Sequence, residues 1–347
     1  MNTEETVEVV QGGKVNIILD ATTLTGIMEC PRKVDFRHNL HLQPIGGKSN
    51  SLETGSIVHK FMEVFYGSLI KGIRRPDAVG LGMTAAELYI RGCIFCTDFK
   101  PHNCAECGGS GKVMDGDKCA VCDGTGIIKK PLCGHKADDY PGVKNTPRDS
   151  EGFKTGWQWA LDTCDQYQRH YINDHWVPLE VEIVKGKILY EDDEIRILWK
   201  AKLDWVADTN QGIYPVDHKT MKQRRPTLSL NNQFIGQALL MGTRSVIINK
   251  VGFQTTLKPE EKFERSVIPY SAARLIEWQS ETLPFYAKQL MMYAEIEHYP
   301  PNFSNCDSKY GNCPFKGVCE SDPGMRETEL KLNFYVGPEW NPTNEDE

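Results

Sequence analysis

The chain has no long apolar run. None of its 347 residues sits in a segment approaching the length that a bilayer-spanning helix needs, so no membrane span is expected. The leader MNTEETVEVVQGG is acidic and polar and lacks the apolar centre of a secretory signal. Basic residues are also outnumbered. Forty Lys and Arg against 47 Asp and Glu leave a net charge of −7 and a pI near 5.8. That balance argues against a protein that coats nucleic acid through a generally basic surface. No flavin or nucleotide fingerprint accompanies the cysteines, which ranks an iron–sulfur redox protein last among the candidates.

What remains is ordinary for a globular chain. Apolar content is 40% and charged content 25%, with enough residues for one large domain or two smaller ones. Twelve cysteines without a secretory signal point to a reducing, cytoplasmic compartment. There, thiols bind metal more often than they form disulfides.

The most informative stretch runs from Ile195 to Gln237. Apolar residues alternate at Ile195, Ile197, Trp199, Ala201, Leu203 and Trp205, which predicts a strand with Asp204 on its opposite face. The turn residues Asp208 to Gly212 then return the chain through Ile213 to Thr220 as an antiparallel partner. On that second strand Asp217 and Lys219 are two apart and point the same way. Two carboxylates are hard ligands of the kind Mg2+ or Mn2+ prefers, and a neighbouring lysine can position or activate water. The set suits metal-dependent phosphodiester cleavage. A helix follows from Phe234 to Leu240, with Gln233 at its start.

LDWVAD, YPVDHKT and NNQF together resemble the RecB-like branch of the PD-(D/E)XK nuclease superfamily, which includes AddB and the CRISPR adaptation nucleases. Gln233 falls where that branch places a Gln. Gln237 stands where a Tyr is usual, and Lys202 precedes Leu203 where a Gly is often seen. The resemblance implies an α/β fold with a restriction-endonuclease-like core, a mixed central sheet flanked by helices. It implies that Asp204 and Asp217 bind Mg2+ or Mn2+, that the carbonyl of His218 completes the protein set, and that Lys219 assists the attacking water. Gln233 would steady the lysine or the DNA. Gly55-Ser-Ile-Val-His59 resembles the G-x-x-x-H helix of the same branch, which makes His59 a further metal-site residue. Ile57, Val58, Phe61, Met62 and Phe65 form that helix's apolar stripe, and Glu63 is a weaker candidate on the same face. Glu180 and Glu182 lie opposite Leu179, Val181 and Ile183 on the preceding strand; they read as exposed acids, with a place in the metal site as the other option.

Cys30 opens a Cys-Pro-Arg-Lys sequence, and Cys306, Cys313 and Cys319 are spaced C-x6-C-x5-C near the end. Four thiolates suit either zinc or a [4Fe–4S] cluster. Iron–sulfur RecB-like nucleases clasp their fold with one N-terminal and three C-terminal cysteines, so the resemblance implies the cluster; the usual first gap there is shorter than x6. Cys164, on the apolar face of a helix between Phe153 and His175, reads as core. Upstream, Thr22 or Thr23 is expected to cap a helix through Met28. The tail after Glu320 is polar and reads as partly extended.

Between Arg91 and His135 the sequence changes character. Cys93 and Cys96, Cys104 and Cys107, and Cys119 and Cys122 form three C-x-x-C knuckles, and Cys133-Gly-His135 closes the series. Two such pairs fill a structural zinc site. CAECGGSG and CAVCDGTG resemble the knuckles of DnaJ-type zinc domains, although the J-domain and two of the four repeats are missing. The expected pairing is nested: Cys104, Cys107, Cys119 and Cys122 around one Zn2+, and Cys93, Cys96, Cys133 and His135 around another, with His102 a competing ligand. Stabilising an apolar-poor segment is the expected role; contact with DNA or a partner through Lys112, Lys118, Lys129 and Lys130 is the sharper alternative.

The expected organisation is therefore a helical N-terminal part (1–88), a zinc-binding insertion (89–150), the nuclease core (151–300) and a C-terminal iron–sulfur segment with tail (301–347). Expected partners are DNA, as single strands or ends, and replication or recombination proteins. Lys222, Arg224 and Arg225 form a local basic track beside the proposed site. Exonuclease action in recombination or replication, in a host cytoplasm if the chain is phage-encoded, is the expected function. A DNA-binding or assembly subunit that keeps the fold without catalysis is the alternative.

Overall fold

The computed structural model describes residues 7–9, 14–44, 50–91, 102–103, 127–128, 156–221, 229–253, 257–308 and 311–337. They fall into two units: Met1–Gly46, Asp174–Gln254 and Glu261–Glu347 in the first, Gly47–Asn173 and Thr255–Glu260 in the second. All zinc-ligand candidates, Cys93, Cys96, Cys104, Cys107, Cys119, Cys122, Cys133 and His135, lie outside the described residues, as do Lys222, Arg224 and Arg225.

Alternation builds the centre of the first unit. The strands are β1 (Val7–Val9), β2 (Val15–Leu19), β3 (Val177–Glu191), β4 (Ile195–Thr209), β5 (Gly212–Met221), β6 (Ser245–Gly252) and β7 (Phe263–Pro269). Their order across the sheet is β1-β2-β4-β5-β6-β7, with β3 also paired to β4. The sheet is mixed: β2 runs parallel to β4 and β5 parallel to β6, while the other pairings are antiparallel. The inward positions Ile195, Ile197, Trp199, Leu203 and Trp205 are all buried, as the period of two requires.

The register exposes a break that alternation does not announce. β3 pairs with β4 from Arg196 to Asp208 and so occupies one edge of that strand. A strand has only two edges, so β2, paired at Ile195–Trp199, and β5, paired at Trp205–Thr209, share the other. Residues 200–204 lie between them with no strand on that edge among the described residues. There β5 leaves β4 and continues beside β6.

The longer helices are α1 (Ala21–Glu29), α2 (Asn50–Ile70), α3 (Arg75–Arg91), α4 (Gly156–His170), α5 (Asn232–Met241), α6 (Ala272–Glu277), α7 (Leu283–Glu295) and α8 (Arg326–Asn333). In the first unit, α1, α5, α6 and α7 flank the sheet. Leu24, Ile27, Phe234, Leu275 and Leu283 share a core with Ile17 and Trp199. The cap of α1 is Asp20, whose Oδ1 accepts from the Thr23 N–H at 2.8 Å. The expected Thr22 or Thr23 is already inside the helix: the chain leaves β2 one residue earlier, and a carboxylate caps as well as a hydroxyl. Asn231 caps α5 through the Gln233 N–H, and Gly242, at φ +66°, closes it in the left-handed conformation a glycine adopts without cost. The helical run from Ala272 is interrupted by a wide π-type turn at Trp278–Thr282, so Pro284 sits in the first turn of α7, where its missing N–H costs nothing.

The C-terminal segment is more ordered than its polarity implied. α8 leads into Phe334–Val336, which pairs antiparallel with Leu42–Pro44. Phe334 stacks on Phe315 at 4.8 Å, and with Phe36 and Val318 they form a small separate core. Burial of these few aromatic residues orders the segment despite its charged surroundings.

In the second unit the expected stripe of α2 is buried: Val58, Phe61, Met62 and Phe65 are at most 1% exposed. α2, α3 and α4 pack together, and the hydroxyls of Tyr66 and Tyr167 meet at 2.6 Å inside. Cys164 is fully buried, and burial pushes its thiol far above the usual range, which fits its reading as core. Among the described residues no helix is long and apolar enough to cross a membrane.

Candidate active site

The parting of β4 and β5 gathers the polar residues. Asp204 sits on β4 at the end of the unpaired stretch, and its Oδ2 accepts the His218 N–H of β5 at 2.7 Å. A side chain thus bridges the strands where the ladder stops. Asp217 and Lys219 share a face of β5. Asp217 is 1% exposed, and Lys219 Nζ lies 2.7 Å from its Oδ2. The ammonium is the partner of that buried oxygen, which has no hydrogen bond from any other group among the described residues.

Gln233, in the first turn of α5, ties the pair together. Its Nε2 donates to Asp217 Oδ1 at 2.7 Å, and its Oε1 accepts from Lys219 Nζ at 3.2 Å. Lys219 Nζ also lies 5.4 Å from the centre of the Phe234 ring, so the ammonium is held from three sides. The His218 ring, by alternation, points to the opposite face. It is buried edge-on to Trp205 at 5.7 Å, and its Nδ1 lies 2.7 Å from Asn249 Nδ2. Only the backbone of His218 reaches the site.

A third carboxylate joins the first two, and it is Glu182. The register places it across from Asp204, between the pairs Val181–Trp205 and Ile183–Leu203. A carboxylate oxygen of Glu182 lies within 4.8 Å of one of Asp204, and Glu182 Oε2 pairs with Lys202 at 3.0 Å. Its backbone has φ +51° in the middle of a strand, a conformation that costs a non-glycine residue on the order of 1 kcal/mol or more and concentrates at functional sites. Glu180, the other acid on this strand, is paired away with Lys185 at 2.7 Å. Burial raises the Asp204 carboxyl well above its ordinary range; the charges of Asp217 and then Glu182 add to this, while Lys219 and the His218 N–H oppose it. A pocket that disfavours its own charge in this way is one that a cation would relieve. Carboxylates, two of them with oxygens within 4.8 Å of each other, are donors of the kind a hard divalent ion takes. His59 stands half-buried on α2, and Glu63 on the same helix is paired with Lys60 at 2.9 Å.

The cysteines at the two ends of the first unit are neighbours. Burial raises the Cys306 thiol, and the fields of Cys313, Cys319 and Cys30 raise it further. Burial raises Cys313 as well, with Cys30 and Cys319 contributing. The backbone is stitched at the same place: the Asn302 N–H donates to Cys30 Sγ at 3.3 Å, and the Asn302 and Asn305 side chains both donate to the Glu29 carbonyl. No three of the four sulfurs lie within 4.8 Å of one another.

No protein-family profile matches the chain, and no curated protein does. Among solved structures, one titled "Crystal structure of SSO0001" is 10% identical with a TM-score of 0.24. The match covers 37% of this chain and 59% of that one, and at that score it carries no argument about fold or function.

Proposed function

We propose that the chain is a divalent-metal-dependent DNA nuclease with a PD-(D/E)XK core, acting on single strands or ends in recombination or replication. The observation that carries the reading is the linked set at the strand parting: Asp217 buried, Lys219 held beside it by Gln233, and Asp204 bonded to the next backbone N–H. Asp204 and Asp217 hold the ion, with Glu182 as a further oxygen donor and the His218 carbonyl completing the set. His59 enters as a ligand from its place in the sequence motif alone. When bound, a divalent ion there offsets charge on a phosphate and lowers the pKa of a coordinated water. Lys219 steadies that water or the phosphate charge, and Gln233 fixes the lysine in the rotamer that reaches it. Lys222, Arg224 and Arg225 follow Lys219 in the sequence and supply positive charge for the substrate strand.

The four terminal cysteines hold an iron–sulfur cluster whose role is to pin the end of α1 to residues 300–319. The knuckle cysteines hold zinc, two ions in the nested pairing.

The test is degradation of end-labelled DNA with Mn2+. Asp217→Ala and Lys219→Ala should each lower the rate at least about 100-fold while circular dichroism shows the fold kept. Unchanged cleavage in both purified variants would exclude this site.

A further inference from the structure

The break in the sheet opens into a cavity of about 430 Å³ on the first unit, within the size range of small-ligand sites. Its walls come from three distant stretches: α1 and the turns after it, Trp199 to Lys202 of β4, and Asn231, Gln233 and Gln237 of α5. Gln233 is shared with the site described above, so the cavity begins where that site ends. One of its lining groups is buried and unanswered. Gln237 is 1% exposed, yet its Oε1 has no hydrogen-bond partner among the described residues. An acceptor left open in a protein interior forfeits a hydrogen bond, which a bound ligand recovers. The rim is basic. Lys33 is paired with Glu29 and Lys202 with Glu182, but Arg37 and Lys200 have no ion pair among the described residues.

We infer that this cavity holds one nucleotide of the substrate strand, the unit next to the cleaved phosphate, with the edge of its base on Gln237 and a phosphate on Arg37 and Lys200. Every base presents a donor on its pairing edge, so Gln237 Oε1 can accept from it whichever base is bound. Recognition would therefore be of an unpaired nucleotide rather than of a sequence: the same edge is engaged in a duplex and cannot be offered. The two arginine and lysine heads supply the charge that an otherwise acidic protein needs at this one place. The inference deepens the nuclease reading and rests on it for the cleaved phosphate, but not for the binding itself.

The experiment separates the two. Binding of 5′-dAMP and 5′-dTMP to the full chain is measured by calorimetry in EDTA, where no cleavage can occur, alongside cleavage of single-stranded DNA in Mn2+. Both mononucleotides are expected to bind. Gln237→Leu, close in volume, should weaken them about tenfold, as the loss of one hydrogen bond does, and raise KM more than it lowers kcat. Arg37→Ala alters an exposed side chain and so leaves folding intact; it should weaken both nucleotides severalfold and flatten the salt dependence of binding. Binding that persists when cleavage is absent would remove the nuclease reading and leave the nucleotide site standing. Cleavage with no mononucleotide binding, or with Gln237→Leu and Arg37→Ala both unchanged in affinity and KM, would overturn the site and leave the nuclease reading standing.

Discussion

Gly236, in the middle of α5, is the closest approach between that helix and the sheet. A Cβ placed there would stand 2.4 Å from Cε2 and Cζ2 of Trp199 and 2.5 Å from its Nε1. Ordinary carbon contacts are about 3.5–4.0 Å, so either the indole or the helix must move by about 1 Å. Trp199 has nowhere to go: it is fully buried and meets Trp278 edge-on at 5.2 Å. Gly236→Ala therefore combines an overpacking cost of about 1–3 kcal/mol with a helix-propensity gain of at most about 1 kcal/mol. A net loss of about 1–2 kcal/mol corresponds to a fall in Tm of roughly 2–8 °C. Thermal unfolding followed by near-ultraviolet circular dichroism reads both the midpoint and the tryptophan packing. Trp199→Phe removes the atoms that clash, so the double variant should lie closer to Trp199→Phe alone than additivity allows, by about 1 kcal/mol. An unchanged or higher Tm for Gly236→Ala, or strict additivity in the pair, would refute the account of a helix seated on that indole.

Three further outcomes are expected. The metal-free protein should lose stability as pH rises from the ordinary carboxylate value of 3.8 through the raised value of Asp204, because an acid whose folded pKa is raised stabilises the fold only while protonated. Added Mn2+ should flatten that decline in melts taken across the same range, and a decline identical with and without the ion would contradict a shared carboxylate pocket. Glu182→Gln should weaken Mn2+ binding by about tenfold while Glu180→Gln leaves it alone, as read by calorimetry; equal effects would remove Glu182 from the site. Arg265 is pressed between Asp174 at 2.6 Å and the rings of Trp176 and Trp205 at 4.2 and 5.2 Å, with both charged side chains under 10% exposed. Arg265→Met should cost about 3–5 kcal/mol by stranding a buried carboxylate, and Asp174→Asn in the same chain should recover much of it in denaturant titrations.

Periodicity carried most of the fold of the first unit. The alternation from Ile195 to Trp205 placed β4 with its inward face correct, and spacing of two put Asp217 and Lys219 on one face and the His218 ring on the other. The role of Glu182 was legible in principle. Pairing the strands around the turn at Asp192–Glu194 brings residue 182 opposite residue 204, but that register is informative only once the hairpin's turn is fixed. The identity of the α1 cap depended on where β2 ends, a boundary that propensity marks loosely. The cavity could not be read at all, because residues 20–38, 199–202 and 231–237 meet only through the sheet order. The meeting of Cys30 with Cys306, Cys313 and Cys319 was implied by the resemblance alone, since their spacing is silent about distance in space.

The pairing of β2 with β4 sets Val15 beside Ile195. β2 must therefore wait, as the chain emerges from the ribosome, until Gly47–Asn173 of the second unit has been synthesised. Closing so long a loop is slow, and during that interval the edge of β2 and the apolar face of α1 have no native cover. Refolding from denaturant should accordingly show a late step that docks the amino-terminal segment, and the yield should depend on protein concentration through the sticky edge left waiting.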